Sequence, residues 1–192
     1  MYLIKTEFVK LRRCNILWVG IITLLCAPLL SILQQQSLND PVDNYGYVNL
    51  VNGTIWNNMS FFLPVTLMLL GGYMISREYT DDTLKEIFII PLSYSKLMAG
   101  KIGALLILSV FYSFYSFVLT TGLSILFYPI GLTGIAIIKA LLQICGMGLC
   151  ICISIMPFIC WSGSAKNRFW VGTVLVFVYG ILGIPLAGHG FQ

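Results

Sequence analysis

The chain has 192 residues, 58% of them hydrophobic and only 9% charged, with a net charge of +4. Soluble domains carry about 25% charged residues, so this composition excludes a water-soluble globule, and a mean hydropathy of +0.92 makes lipid the solvent for most side chains. The basic residues flank apolar runs, which is a membrane topology signal and not the surface of a nucleic-acid-binding protein.

Residues 1–13 are short and amphipathic: Ile4, Phe8 and Leu11 form one apolar stripe, ringed by Lys5, Lys10, Arg12 and Arg13. They predict either an N-terminal interfacial helix or a basic flank that only sets topology. The first apolar run, about residues 14–33, is long enough at 1.5 Å per residue to cross roughly 30 Å of hydrocarbon, with Pro28 as a kink site. A signal peptide is disfavoured. No small-residue cleavage site follows, because Leu33 leads straight into Gln34, Gln35 and Gln36, and Leu24-Leu25 before Cys26 is a poor lipoprotein site.

Residues 34–58 read as a polar loop containing Asn39, Asp40, Pro41, Asp43, Asn44 and Gly46. Two triplets in this region, Asn52-Gly53-Thr54 and Asn58-Met59-Ser60, match the glycosylation pattern and are expected to be chance matches. A second run covers about 59–76, followed by the one densely charged stretch, 77–101. Two long runs, about 102–128 and 135–161, are separated by a Pro/Gly turn at 129–134; a polar link, 162–169, precedes the last run, about 170–188. The expectation is a single all-α domain over residues 1–192: a polytopic membrane helix bundle of about five transmembrane helices.

Lys5, Lys10, Arg12, Arg13, Arg77, Lys85, Lys96, Lys101, Lys166 and Arg168 would lie on one side of the membrane, and Lys139 alone near the other. The positive-inside rule then puts the N-terminus in the cytoplasm and, with five spans, the C-terminus outside. The acidic residues (Glu7, Asp40, Asp43, Glu78, Asp81, Asp82 and Glu86) all fall in loops or flanks. An ion-coupled transporter needs a carboxylate within the membrane, and an intramembrane hydrolase needs ionisable groups at the reacting atom; the spans offer neither.

His189 near the chain end has no evident partner, so no catalytic residue is expected. Cys14, Cys26, Cys145, Cys150, Cys152 and Cys160 lie in or beside apolar runs at no standard metal spacing, and are expected to be reduced packing residues and not metal ligands. The only Gly-Lys pair, Gly100-Lys101, is followed by Ile102, with Ser95 where a phosphate-binding loop needs its first glycine. No cofactor site is expected; any ATP would be bound by a partner.

Within the spans, Ser109, Ser113, Ser116, Thr120 and Thr121 either line a polar path or bond backbone carbonyls and neighbouring helices. Phe111, Tyr112, Phe114, Tyr115 and Phe117 crowd the third span and face a cavity, lipid or the packed interior. Gly146, Cys150 and Ser154 recur at i, i+4, i+8 and predict a helix-packing face, suited to close contact with a second copy.

In the 77–101 segment, Thr80 or Asp81 can cap a short helix, Asp81 and Asp82 suit its N-terminal dipole, and Leu84, Ile87 and Phe88 share one face. Pro91 ends that helix, and Ser93 or Ser95 can cap the next, which carries Lys96 and Lys101 into the third span. Exposed apolar residues there should dock into headgroups or a protein groove.

Glu78-Tyr79, Asp82-Thr83-Leu84-Lys85, Ile90-Pro91-Leu92-Ser93 and Lys96 to Lys101 together resemble the type-2 ABC exporter permeases, and Glu7-Phe8-x-Lys10-Leu11-x-Arg13 resembles that family's interfacial helix. The span order agrees over residues 1–188; the specific motif covers about 77–101. The likeness is closest to permeases of bacitracin-type and lantibiotic-type peptide resistance exporters. It implies a cytoplasmic coupling helix gripped by an ATPase subunit, with Glu78, Asp82, Thr83, Leu84, Ile87, Phe88 and Pro91 in the coupling segment.

It further implies two permease copies, identical or different, paired with two cytoplasmic ABC ATPases in the bacterial cytoplasmic membrane. ATPase closure would rock the spans and expel a hydrophobic or amphiphilic substrate such as a peptide antibiotic. The family normally has six spans where five are expected here, which gives weight to an alternative: a non-transporting membrane immunity or scaffold protein that binds a toxin or partner.

Overall fold

The computed structural model describes residues 16–37, 46–80, 94–128, 130–163 and 169–188, and the regular structure among them is helical throughout. In chain order the elements are α1 (Ile16–Ser37), α2 (Tyr47–Asn57), a π turn (Asn58–Phe62), α3 (Leu63–Thr80), α4 (Tyr94–Phe127), α5 (Gly134–Gly163) and α6 (Phe169–Gly188). In hydrocarbon each backbone N–H and C=O must find its partner inside the segment, which is why apolar runs of this length become helices. Among the described residues, four stretches are long and apolar enough to cross a membrane: Ile16–Gln35, Tyr47–Ser76, Met98–Phe127 and Gly134–Trp161; α6 contributes a shorter apolar stretch, Val171–Ile181. The polytopic helical bundle expected from the sequence is therefore present. The N-terminal stripe of Ile4, Phe8 and Leu11 lies outside the described residues, as does 81–93.

One boundary differs from expectation. The stretch read as a loop to residue 58 is helical from Tyr47, and α2, the π turn and α3 run on without a break. Tyr47, Leu50, Val51, Thr54 and Asn57 form its buried face. Their polar groups lower the hydropathy of the stretch, yet they are bonded inside the bundle. Thr54 Oγ1 donates to the Leu50 carbonyl at 2.9 Å, and Asn57 Nδ2 lies 3.0 Å from Ser31 Oγ and 3.3 Å from both the Ala27 carbonyl and Gln34 Oε1 on α1. Asn58, in a glycosylation triplet, is fully buried.

This second span is the centre of the bundle: 61% of its most apolar 18-residue stretch is buried, against 33–39% for the matching stretches of the other three. Around it, α4 and α5 pack on each other most extensively, and α3 packs on α5 and α6. The main core joins Leu24 of α1, Leu63, Leu67 and Met68 of α3, Leu105, Leu108 and Tyr112 of α4, Ile151 and Ile155 of α5, and Val176 of α6. Outward-facing Trp18, Ile22, Ile107, Phe111, Ile138 and Leu142 leave an apolar exterior that suits lipid.

At one end of the bundle the α4–α5 turn is fixed by its own residues. Gly131 takes φ 82°, a left-handed conformation in which a side chain would be strained. Thr133 Oγ1 accepts from the Ala136 N–H at 3.3 Å, capping α5. The Ile130 carbonyl accepts the Tyr47 N–H at 2.9 Å, satisfying a donor that the first turn of α2 leaves open.

Candidate functional site

The α4 residues Ser109, Ser113, Ser116, Thr120 and Ser124 are each fully buried. Their spacing of three and four residues places them on one face of the helix, while Ile107, Val110, Phe111, Phe114, Val118 and Ile125 point outward. The hydroxyls form a polar seam between helices. Ser109 Oγ donates to the Gly148 carbonyl of α5 at 2.7 Å, Asn58 Nδ2 donates to Ser116 Oγ at 2.7 Å, and Thr120 Oγ1 and Ser124 Oγ donate to the Ser116 and Tyr128 carbonyls at 2.8 and 2.9 Å. Thr121 Oγ1 meets Tyr47 Oη at 3.3 Å. Ser109, Ser116 and Thr121 thus tie α4 to its neighbours, whereas Thr120 and Ser124 bond backbone carbonyls of α4 and the residue just after it. The aromatic residues divide: Phe111 and Phe114 face outward, whereas Tyr112 is buried and its hydroxyl donates to the Leu17 carbonyl at 3.2 Å.

The seam requires close approach. A Cβ on Gly148 would collide with Ser113 Oγ, so α5 can lie against α4 here only because this residue has no side chain. On the other side, a Cβ on Gly180 of α6 would strike the backbone carbonyl of Ser60 in the π turn, beside the ring contact of Phe61 with Phe177 at 5.9 Å. Two buried polar atoms, Asn58 Oδ1 and Ser113 Oγ, have no partner among the described residues. One of these atoms lies in the π turn and the other on the seam face of α4.

At the opposite end from the α4–α5 turn, Lys101 was expected to be one of the positive charges in the loop. It is instead 3% exposed, and its Nζ donates to the Met74 carbonyl of α3 at 2.8 Å. The long stem lets the ammonium reach past apolar neighbours to a backbone acceptor. This contact ties α3 to α4 on either side of the 81–93 connection.

Of the residues expected to form a coupling segment, Glu78 lies in the last turn of α3, and Asp82, Thr83, Leu84, Ile87, Phe88 and Pro91 lie outside the described residues. Gly146, Cys150 and Ser154 do fall together, on the outer face of α5: all three are exposed, nothing lies within 4 Å of a Cβ placed on Gly146, and Ser154 Oγ donates to the Cys150 carbonyl at 2.9 Å. Within one chain the close-packed small residue is Gly148, two positions away. Cys26, Cys145, Cys150, Cys152 and Cys160 carry free thiols, and no group of metal-ligating side chains assembles among the described residues.

The interior is thus built for helix contact through hydroxyl, amide and backbone groups. Sequence reasoning missed Asn57, Asn58, Gly148 and the inward turn of Lys101. The helical recurrence of Tyr47, Leu50, Val51, Thr54 and Asn57 was the signal that could have placed the asparagines.

Comparison with known proteins agrees with this architecture. Residues 3–183 match the family model described as ABC-2 family transporter protein. No curated protein and no solved structure matches the chain. With nearly its whole length matched, and with several apolar helices packed about a central span, the chain belongs to the ABC-2 transporter family of multi-pass membrane proteins.

Proposed function

We propose that this chain is the membrane-spanning permease subunit of an ABC exporter in a bacterial cytoplasmic membrane. ATP is hydrolysed by a separate cytoplasmic ATPase, and the work enters through the 77–101 segment. The observation that carries this reading is the Lys101–Met74 tie at the foot of α3 and α4. A push on the connection between the two helices is delivered to both at once, because the buried ammonium holds their ends together. The force then reaches the seam, where Asn58 and Ser113 leave hydrogen-bonding capacity for a second arrangement.

The permease works as a pair, identical or mixed, and the outward Gly146, Cys150 and Ser154 form a face on which a second copy can pack closely. The cargo is a hydrophobic or amphiphilic molecule of the peptide-antibiotic kind. The test is co-purification. Tagged chain should bring down a soluble ABC ATPase from its native membrane, and Leu84→Asp, which sets a charge on the apolar face of the coupling segment, should abolish that recovery. Unchanged recovery with the variant would overturn the coupling assignment.

A further inference from the structure

A cavity of about 270 Å³ opens between α2 and α5, close to the α4–α5 turn, and its lining includes Tyr47, Val48, Asn52, Lys139, Ala140 and Gln143. Tyr47 is already engaged with Thr121. Lys139, Asn52 and Gln143 are exposed and have no hydrogen-bond or ion-pair partner among the described residues. The ammonium offers only donors, the two carboxamides add donors beside it, and the lining among the described residues holds no carboxylate. Such a set recognises an anion with several acceptor oxygens.

Depth identifies the source of that anion. α5 spans 30 residues, about 45 Å at 1.5 Å each, against roughly 30 Å of hydrocarbon. Centred in the bilayer it extends about 7 Å at either end, and Lys139, five residues after Gly134, sits at the boundary between headgroups and acyl chains. Val48 in the lining is 53% exposed, and Ile135, Ile138 and Leu142, sequence neighbours of the lining residues on α5, are 82%, 64% and 66% exposed. An amphiphile can therefore place a charged head in the cavity and its chains on the apolar wall.

We infer that this cavity is a binding site for the phosphate of an anionic phospholipid, with Lys139 as the principal contact and Asn52 and Gln143 as hydrogen-bond donors. A bound phosphate also resolves the position of Lys139, since a lysine at this depth is stable only when it reaches water or meets an anion. The inference does not rest on the exporter reading, and its test involves no ATPase.

The full chain, purified in a neutral detergent, is offered equal amounts of phosphatidylglycerol and phosphatidylcholine, and retained lipids are counted by native mass spectrometry. Wild type should prefer phosphatidylglycerol by about tenfold, the effect of one charge-assisted contact. Lys139→Ala should lose the preference, and Lys139→Arg should keep it. The melting temperature of Lys139→Ala in phosphatidylcholine alone should match wild type, so lost lipid selectivity is distinct from misfolding.

A parallel arm uses inorganic phosphate alone. Lys139-dependent binding of phosphate without any phosphatidylglycerol preference would overturn the lipid assignment in favour of a soluble anion. Equal phosphatidylglycerol retention by wild type and Lys139→Ala would overturn the site itself. So would a change in oligomeric state with Lys139→Ala and no lipid selectivity, since a second copy would then cover the cavity.

Discussion

Gly146 and Gly148 stand two residues apart on α5 and meet opposite surroundings. Beside Gly148 the space for a Cβ is filled by Ser113 Oγ, and the carbonyl of Gly148 accepts from Ser109; around Gly146 that space is open. Lys101 and Lys139 repeat the contrast. One is buried and bonded to a backbone carbonyl of the neighbouring helix, while the other lines an open cavity beside the α4–α5 turn. Inside the bundle Gly148 and Lys101 are each matched to a specific partner. On the outside the same residue types remain available to lipid or to another chain. Composition alone does not distinguish the two settings; position around the helix does.

The contrast can be broken experimentally, and the inner glycine should give the largest effect. Gly148→Leu forces the α4 seam apart and should destabilise the chain by about 3 kcal/mol, the upper range for overpacking, measured by unfolding in mixed micelles. Next, Lys101→Met removes a charge-assisted bond while keeping the stem, and should cost about 2 kcal/mol in the same measurement. A Lys101→Met protein as stable as wild type would show that the α3–α4 tie is dispensable. The smallest effect is expected outside: Gly146→Leu should leave single-chain stability within about 0.5 kcal/mol. Its effect should fall instead on pairing, read as reduced recovery of an untagged copy with a tagged one.

The fold was legible in the sequence wherever hydrophobicity alone decides it. The apolar runs became helices, and the Pro/Gly stretch at 129–134 contains the turn set by Gly131. It was least legible where polar residues face inward. Asn57 and Asn58 look like loop residues because their cost in lipid is offset only by partners far along the chain, Ala27, Ser31 and Gln34 for one and Ser116 for the other. Lys101 looked like a topology charge for the same reason: Met74, its acceptor, lies on the preceding helix. In the site, the i, i+4, i+8 rule placed Gly146, Cys150 and Ser154 on one face, but it could not say whether that face or the one carrying Gly148 meets α4. A single helix does not contain that information; it depends on where its neighbours are.

The π turn at Asn58–Phe62 has a consequence for chain length. It accommodates one residue more than an α-helical path needs, so the helices on either side keep the phase of one unbroken α-helix. Deleting a residue from a regular α-helix turns everything before it by about 100°. Deleting one here would instead restore regular winding and leave Tyr47–Asn57 facing the same neighbours, so this is the place in the span where a shorter chain can be absorbed.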